Sequence, residues 1–251
     1  MKEPGGILKV SDISFSYGNG KAVNDLNMSV EGGTFTAVIG ANGSGKSTIL
    51  KLAAGILKPA SGSIELWGQP LESYKGRDRA KLISYLPQLL DINVPFKVRE
   101  LINMGLYPYD IRPEMTTELA MSMVGLDGKS ESVISELSGG ERRRVFIAMT
   151  LLQGAGILLL DEPLANLDIQ FQIEFIKLLE ELRSKRSISV VMALHDINMA
   201  FHFDKLIVIR NGEVIASGDP RSTITSEMIL EAFGVKVKIY HQDDGTISFG
   251  Y

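Results

Sequence analysis

A glycine-rich loop near residue 40 constrains the fold of this 251-residue chain more than any other feature. Residues 35–40 (FTAVIG) form an apolar run of strand length, residues 40–47 (GANGSGKS) fit the pattern GxxxxGK[ST], and the segment ILKLAAGIL that follows has helical periodicity. A loop of this pattern binds phosphate when it connects a strand to a helix. The sequence therefore predicts an α/β fold that contains a phosphate-binding loop.

The loop residues have distinct expected roles. The glycines allow the backbone to wrap closely around phosphate oxygens, which successive N–H groups and the positive end of the helix then bind. Lys46 would neutralise the β and γ charges of a nucleotide, and the hydroxyl of Ser47 would ligate Mg²⁺. The other loop residues expected to contact the nucleotide are Gly40, Asn42, Gly43, Ser44, Gly45 and Thr48. The alternative is a glycine turn that binds nothing, and a second motif argues against it.

The second motif is the run ILLLDE (residues 157–162), an apolar strand that ends in two acids. A strand this apolar is buried on both faces, so its terminal acids need a counter-charge, which Mg²⁺ would supply. Asp161 would bind the metal, directly or through water, and Glu162 would be the general base that polarises a water against the γ-phosphate. Taken alone, the two acids could equally cap the helix that follows. Together with the loop they predict nucleotide hydrolysis.

Residues 137–141 (LSGGE) precede the helix-forming run RRRVFIAMTLL and make a second glycine-rich helix start, hence a second anion-binding site. At this point the sequence resembles the ATP-binding cassette family. In that family the segment is the signature motif, and it faces the nucleotide held by the other subunit of a head-to-tail dimer. The resemblance therefore implies a homodimer in which Ser138, Gly139 and Gly140 of each subunit contact the ATP bound to the other.

Four further residues take their roles from this resemblance. Tyr17 in FSYG matches the aromatic residue that stacks on adenine, and Gln88 in YLPQ matches the glutamine that reaches Mg²⁺ and the attacking water. Asp168 matches the loop that crosses the dimer seam, and His195 in MALHD matches the switch histidine that contacts the γ-phosphate. The implied catalytic residues are Lys46, Gln88, Glu162 and His195, and the implied metal ligands are Ser47, Gln88 and Asp161.

The resemblance extends from Tyr17 to about Val237, with two departures. The run LAN (residues 164–166) stands where Thr-Ser-Ala is commoner, and Glu141 replaces a commoner Gln. Neither change removes a reacting group, but the first is expected to tune the pathway between the two sites differently.

The remaining patterns predict one domain with a helical insert. Residues 7–31 alternate apolar and polar around a GNGK turn, and SIELWG and LISYLPQ have the character of strands. Helix-period apolar positions mark residues 95–153. Strands and helices then alternate again, with a helix over residues 169–184, a hairpin with an Asn-Gly turn in KLIVIRNGEVIASG, and a terminal alternation around Asp-Asp-Gly. We expect a P-loop NTPase core with a parallel sheet and an N-terminal antiparallel β-subdomain (about 1–88 and 154–234), an inserted α-helical signature subdomain (about 89–153) and a C-terminal β-hairpin (about 235–251).

Composition limits the partners and the location. The net charge of −4 and the pI of about 5.5 give no basic excess for binding a nucleic-acid backbone, so nucleic acid is not an expected partner. The absence of cysteine excludes a disulfide framework. The N-terminus lacks the apolar stretch of an export signal, and the longest apolar run, residues 145–160, is shorter than the ~20 residues of a membrane span. That run has the pattern of a buried helix, a turn and a buried strand, so a membrane role requires a partner.

Within the family the chain looks most like the ATPases of metal-chelate importers, which serve iron–siderophore, haem or cobalamin uptake. The phrases that carry this resemblance are LPQLLDINVPFKVRELINMGLYPY, ELSGGERRRVFIAMTLLQ, LHDINMAFHFDKLIVIRNGEVIASGDP and TSEMILEAFGVKVKI. The resemblance implies ATP and Mg²⁺ as cofactors, and membrane permease subunits and an upstream substrate-binding protein as partners. It also implies a peripheral position at the cytoplasmic face of the cell membrane.

Four other functions are open to a chain with a phosphate loop and a terminal acid pair. A soluble cassette ATPase of iron–sulfur assembly, or of ribosome or DNA work, would use the same catalytic residues. A fused second cassette or a long coiled coil would favour that function, and this sequence shows neither. A regulator that binds nucleotide without hydrolysis would not need Glu162. A GTPase would carry a guanine-reading Asn-Lys-x-Asp, which this sequence lacks. A small-molecule kinase would have no use for the anion-binding site at Ser138.

Overall fold

The structure is a computed structural model that describes residues 6–18, 20–88, 95–111, 114–165, 167–241 and 247–250. Its α-helices are α1 (Lys46–Ala53), α2 (Gly76–Leu82), α3 (Val98–Asn103), α4 (Thr117–Met123), α5 (Gly139–Gln153), α6 (Ile169–Arg186), α7 (Pro220–Thr223) and α8 (Ser226–Phe233). Its strands are β1 (Leu8–Tyr17), β2 (Gly20–Val30), β3 (Phe35–Ile39), β4 (Ser61–Leu66), β5 (Gln69–Pro70), β6 (Ile83–Leu86), β7 (Ile157–Asp161), β8 (Ser189–Ala193), β9 (Lys205–Arg210), β10 (Glu213–Gly218), β11 (Lys238–His241) and β12 (Ile247–Gly250).

The central sheet has the strand order β10-β9-β3-β8-β7-β6. All neighbours in it are parallel except β10, which pairs with β9 as an antiparallel hairpin. The strands β3, β7 and β8 are buried along their whole length, as expected for strands covered on both faces. The predicted parallel core is confirmed. Because the carboxyl ends of parallel strands share one edge of a sheet, the loops after β3, β6, β7 and β8 come together there.

Two hydrophobic cores flank this sheet, and successive strand residues alternate between them. Val191 faces the core that α1 shares with a second sheet, which has the order β2-β1-β4-β5 and is antiparallel. Its neighbours Val190 and Met192 face the core built with α3 to α6 and α8. The helix α1 therefore lies between two sheets, which fixes the loop that precedes it.

Most predicted elements are present. The hairpin of β1 and β2, the strands β4 and β6, the helix α6, the hairpin of β9 and β10 and the terminal hairpin of β11 and β12 are confirmed. The run 145–160 is also confirmed as helix, turn and strand, because α5 ends at Gln153 and β7 begins at Ile157. The centres of the GNGK and Asp-Asp-Gly turns lie outside the described residues.

The differences concern short elements. The predicted strand SIELWG (residues 63–68) ends at Leu66, because Trp67, with φ 48°, turns the chain towards β5. The helices α2, α7 and α8 were not predicted, and each has at most eight residues. Such helices carry little periodic signal and depend on caps, such as the Thr225 hydroxyl at the start of α8. Within the described ranges no helix has both the length and the apolar character that crossing a bilayer requires.

Candidate functional site

The phosphate loop follows β3 and leads into α1, as predicted. A side chain at Gly40 could not fit, because its Cβ would lie 2.2 Å from the carbonyl oxygen of Ile209. Gly43 and Gly45 have φ values of 78° and 109°, which side chains rarely allow. The hydroxyl of Ser44 is buried and has no hydrogen-bond partner among the described residues. A tight loop with an unpaired buried donor fits a phosphate group.

The tip of the β9–β10 hairpin supports this loop. The amide of Gly212 donates to the carbonyl of Ser44 at 2.8 Å, and the amide of Asn24 donates to the carbonyl of Gly212 at 3.0 Å. A Cβ at Gly212 would lie 2.6 Å from the carbonyl oxygen of Ala22. In the sequence the Asn-Gly pair indicates only a hairpin turn, and no local signal shows that a hairpin from residues 205–218 packs on the phosphate loop.

Lys46 lies inside the site, with only 6% of its surface exposed. Its ammonium donates to the carbonyl of Gly40 at 2.8 Å and lies 3.7 Å from Oε1 of Glu162. The predicted phosphate-neutralising lysine and the predicted base are therefore brought together at one point.

Asp161 is fixed by two hydroxyl groups. The Ser47 hydroxyl donates to Oδ1 at 3.0 Å, and the Tyr85 hydroxyl donates to Oδ2 at 3.3 Å. Burial raises the pKa of Asp161, and the nearby Glu162 charge raises it further, although the hydrogen bond from Ser47 opposes this. Burial and the Asp161 charge in turn raise the pKa of Tyr85, so its phenol stays a donor. Tyr85 is the first residue of YLPQ, and no pattern in the sequence predicts its contact with Asp161.

Mg²⁺ fits this arrangement. The oxygens of Ser47 and Asp161 are hydroxyl and carboxylate ligands on neighbouring elements, and Mg²⁺ takes one or two protein oxygens and completes its coordination with water and phosphates. The amide nitrogen of Gln88 donates to Oε2 of Glu162 at 2.8 Å, so Gln88 lies beside the predicted base.

Glu162 occupies an unusual backbone conformation with φ 48°. Its side chain is buried, and its amide donates to the carbonyl of Ala193 at 3.2 Å. Glu162 and His195 line the same cavity of about 150 Å³. His195 itself is exposed at the end of β8. The structure therefore brings Lys46, Ser47, Gln88, Asp161 and Glu162 into direct contact, with His195 across a cavity.

Arg143 is a site residue that the sequence analysis did not identify. Its guanidinium is buried and donates five hydrogen bonds to main-chain carbonyl groups of residues 87–88 and 161–163. Burial lowers the pKa of Arg143 from its ordinary value, and the Asp161 and Glu162 charges oppose this. Within the described residues the buried charged side chains are Lys46, Arg143, Asp161 and Glu162, and all four meet here. Two cations thus balance two anions at one edge of the sheet.

The signature residues lie apart from this cluster. Ser138 caps α5 by accepting from the amide of Glu141 at 3.2 Å, and Oε2 of Glu141 accepts from the amide of Ser138 at 2.9 Å. Hydrogen bonds from Ser138 to the carboxylate, with one from Lys129, lower the pKa of Glu141 to about 2. Ser138 and Gly139 are exposed. Among the described residues, no hydrogen bond or ion pair joins residues 138–140 to the phosphate loop.

Tyr17 and Asp168 also lie outside the cluster. The Tyr17 ring is 54% exposed at the end of β1 and packs edge-on against Phe15, with ring centroids 4.8 Å apart. Asp168 caps α6 by accepting from the amide of Phe171 at 2.8 Å, and it forms an ion pair with Arg144 at 3.1 Å. Of the LAN departure, Leu164 and Ala165 are described, and residue 166 lies outside the described residues.

Comparisons with known proteins agree on one family. Residues 23–165 match the family model for ABC transporters. The chain is 35% identical to the petrobactin import ATP-binding protein FpuC of Bacillus anthracis, over 93% of this chain and 89% of that protein. It is 34% identical to the hemin import ATP-binding protein HmuV of Vibrio parahaemolyticus, over 92% of each chain.

Solved structures have the same fold. CbiO1 of Clostridium perfringens, part of the ABC transporter complex CbiONQ, is 30% identical with a TM-score of 0.73, over 87% of this chain and 90% of that one. A bacterial ABC transporter cassette solved as a dimer is 24% identical with a TM-score of 0.77, over 85% of this chain and 98% of that one.

Proposed function

This chain belongs to the ABC transporter family, and we propose that it is the Mg²⁺-dependent ATPase that powers an importer of a metal chelate. The observation that supports ATP hydrolysis is the cluster of four buried charges at the carboxyl edge of the sheet. Buried ions persist only where partners or a ligand compensate them. Here the Lys46 ammonium lies 3.7 Å from Oε1 of Glu162 and beside the phosphate loop.

ATP binding requires only small rearrangements of these groups. The Lys46 ammonium would exchange its bond to the Gly40 carbonyl for the β- and γ-phosphates, and the Ser44 hydroxyl would gain its missing partner. The loop amides from Asn42 to Thr48 would bind phosphate oxygens, and the exposed ring of Tyr17 would stack on adenine. Ser47 and Asp161 would hold Mg²⁺. The bound metal would neutralise the charge that develops on the phosphates during hydrolysis.

Hydrolysis would depend on Glu162 as the general base. Its carboxylate is held by the Gln88 amide at 2.8 Å, so the amide orients the base towards a water placed against the γ-phosphate. His195 faces the same cavity and would contact the γ-phosphate from the opposite side. Glu162 and His195 both lie on loops at the ends of strands, so a movement of these loops on nucleotide binding would shift both side chains.

The site is completed by a second copy of the chain. Ser138, Gly139 and the start of α5 form an exposed helix N-terminus, and among the described residues no hydrogen bond or ion pair joins it to the phosphate loop of its own subunit. A head-to-tail homodimer would place this helix N-terminus against the ATP of the other subunit, with Asp168 at the seam. ATP would then hold the dimer together, and cleavage would release it.

The importer assignment is supported by the relatives, which act in petrobactin and hemin import. An exposed apolar surface lies on the helical part of the chain, where Tyr107 and Ile111 are 74% and 86% exposed. We propose that this surface docks on permease subunits at the cytoplasmic face of the membrane, with a substrate-binding protein upstream. The LAN departure is proposed to tune communication between the two ATP sites.

The deciding experiment for ATP hydrolysis compares Lys46→Ala with Lys58→Ala, an exposed lysine beyond the same helix. Lys46→Ala should lower ATP affinity by about 10- to 100-fold, the value of one charge-assisted hydrogen bond, and abolish most turnover. Lys58→Ala should behave as wild type. Normal binding and turnover in Lys46→Ala would rule out the phosphate-loop assignment.

The cargo class is tested by reconstitution with the cognate permease in liposomes. Uptake of an iron–siderophore, haem or cobalamin that stops with Lys46→Ala supports the proposal. An ATPase that neither binds a permease nor drives uptake would instead support the soluble alternative.

A further inference from the structure

The contacts of Arg143 connect three parts of the molecule. This residue lies on α5, five positions after Ser138, and its side chain is 6% exposed. The five hydrogen bonds that its guanidinium donates all go to main-chain oxygens rather than to carboxylates. The acceptors are the carbonyls of Pro87 (2.7 Å) and Gln88 (2.9 Å) after β6, and of Asp161 (2.9 Å), Glu162 (2.8 Å) and Pro163 (3.1 Å) after β7.

These bonds act on the backbone that carries the reacting groups. Glu162 has φ 48°, a conformation that costs free energy for a residue with a side chain and persists only where its surroundings hold it. Arg143 binds the carbonyl of Glu162 and those on either side of it. A guanidinium is a rigid planar fork, so the same group also fixes the distance from this turn to the carbonyl of Gln88.

The neighbouring arginines have different environments. Arg144 lies over the Phe171 ring, with 4.2 Å between its guanidinium carbon and the ring centroid, and pairs with Asp168. Arg142 is only partly buried. Of these three arginines, Arg143 is therefore the one that contacts both the loop after β6 and the loop after β7.

We propose that Arg143 is a positioning residue for ATP hydrolysis, which fixes the backbone of Gln88 and Glu162 relative to α5. Because α5 begins with the signature residues, a shift of this helix moves both loops together, so the amide and the base keep their mutual geometry. The inference rests on the proposed function, since it concerns the same hydrolysis.

The test compares Arg143→Met, which removes all five hydrogen bonds but keeps an unbranched stem, with Arg143→Lys and with the control Arg186→Met at an exposed position of α6. Arg143→Met should lower kcat by about 10- to 100-fold, because a misplacement of about 1 Å costs on the order of 100-fold. KM for ATP should change less than about threefold, because Lys46 and the phosphate loop are untouched. Arg143→Lys keeps the charge and some bonds, so its kcat should lie between those of Arg143→Met and wild type, and Arg186→Met should match wild type.

A merely structural role would give a different result. We would titrate the ATP sites, record the melting temperature and express kcat per competent site. A structural role lowers the melting temperature and the number of sites but leaves kcat per site unchanged. Wild-type kcat per site in Arg143→Met overturns the inference, and if that variant does not fold, wild-type kcat per site in Arg143→Lys does so. Absence of ATPase activity in the wild-type protein would overturn the proposed function as well, whereas the preceding outcomes would leave it standing.

Discussion

Replacing Glu162 with glutamine separates the chemistry of hydrolysis from the binding of ATP. The carboxylate accepts from Gln88 at 2.8 Å and lies 3.7 Å from the Lys46 ammonium. A glutamine can turn its carbonyl oxygen towards Gln88 and keep that bond, but its NH₂ group then faces the ammonium. The variant therefore keeps the shape of the side chain and loses both the charge and the ability to accept a proton.

The structure sets the size of each effect. Loss of a positioned general base lowers kcat by about 10²- to 10⁴-fold, which raises the barrier by about 2.7–5.4 kcal/mol. In the nucleotide-free protein, Lys46 loses its buried anion but keeps the Gly40 carbonyl, so we expect a loss of about 1–3 kcal/mol in unfolding free energy. With ATP bound, the phosphates replace that anion, and the difference from wild type should shrink. Affinity should not fall, because a negative charge near the γ-phosphate has been removed.

The assay is phosphate release at saturating MgATP, together with equilibrium binding of ATP and melting temperatures with and without it. Glu180→Gln, at an exposed position of α6, is the matched control and should retain wild-type kcat. A kcat of Glu162→Gln within about tenfold of wild type, with ATP binding intact, would refute the assignment of Glu162 as the base.

Three further predictions follow from the same structure. In the Glu162→Gln background, ATP should convert the protein to a dimer by light scattering, and adding Ser138→Arg should abolish the dimer while ATP still binds; a dimer unaffected by Ser138→Arg contradicts the composite site. Because the chain has no cysteine, Tyr107→Cys and Ile111→Cys should crosslink to a co-expressed permease while the exposed control Ile56→Cys should not, and the opposite pattern would place the docking surface elsewhere. Glu141→Ala should lower the melting temperature by about 2–4 °C at pH 5–7, because it removes half of the capping box. Since hydrogen bonds to Ser138 lower the pKa of Glu141 from 4.5 to about 2, this difference should be lost as the pH falls from about 4.5 towards 2, and a constant difference across that range would contradict the capping role.

Several parts of the site could be predicted because their signals are contiguous in the chain. The phosphate loop is a run of eight residues whose glycines are required by local backbone geometry, and Gly43 and Gly45 have the positive φ values that only such residues adopt readily. The acid pair follows one apolar strand, and parallel strands bring their carboxyl ends to the same edge of the sheet. The contacts among Lys46, Ser47, Asp161 and Glu162 follow from those two motifs together. The roles of Tyr17, Gln88, Asp168 and His195 came instead from the family resemblance and remain proposals.

Other parts depend on which surfaces meet when the chain packs, and no local pattern encodes that. The Tyr85 bond to Asp161 links residues 76 positions apart, and Gly212 supports a loop more than 160 residues earlier in the chain. In the sequence, Arg143 is one of three consecutive arginines on an amphipathic helix, and each could equally face solvent. Only the packing of α5 against the ends of β6 and β7 buries one of them, because a guanidinium leaves water only where its N–H groups all find acceptors, and here two loops supply five carbonyls.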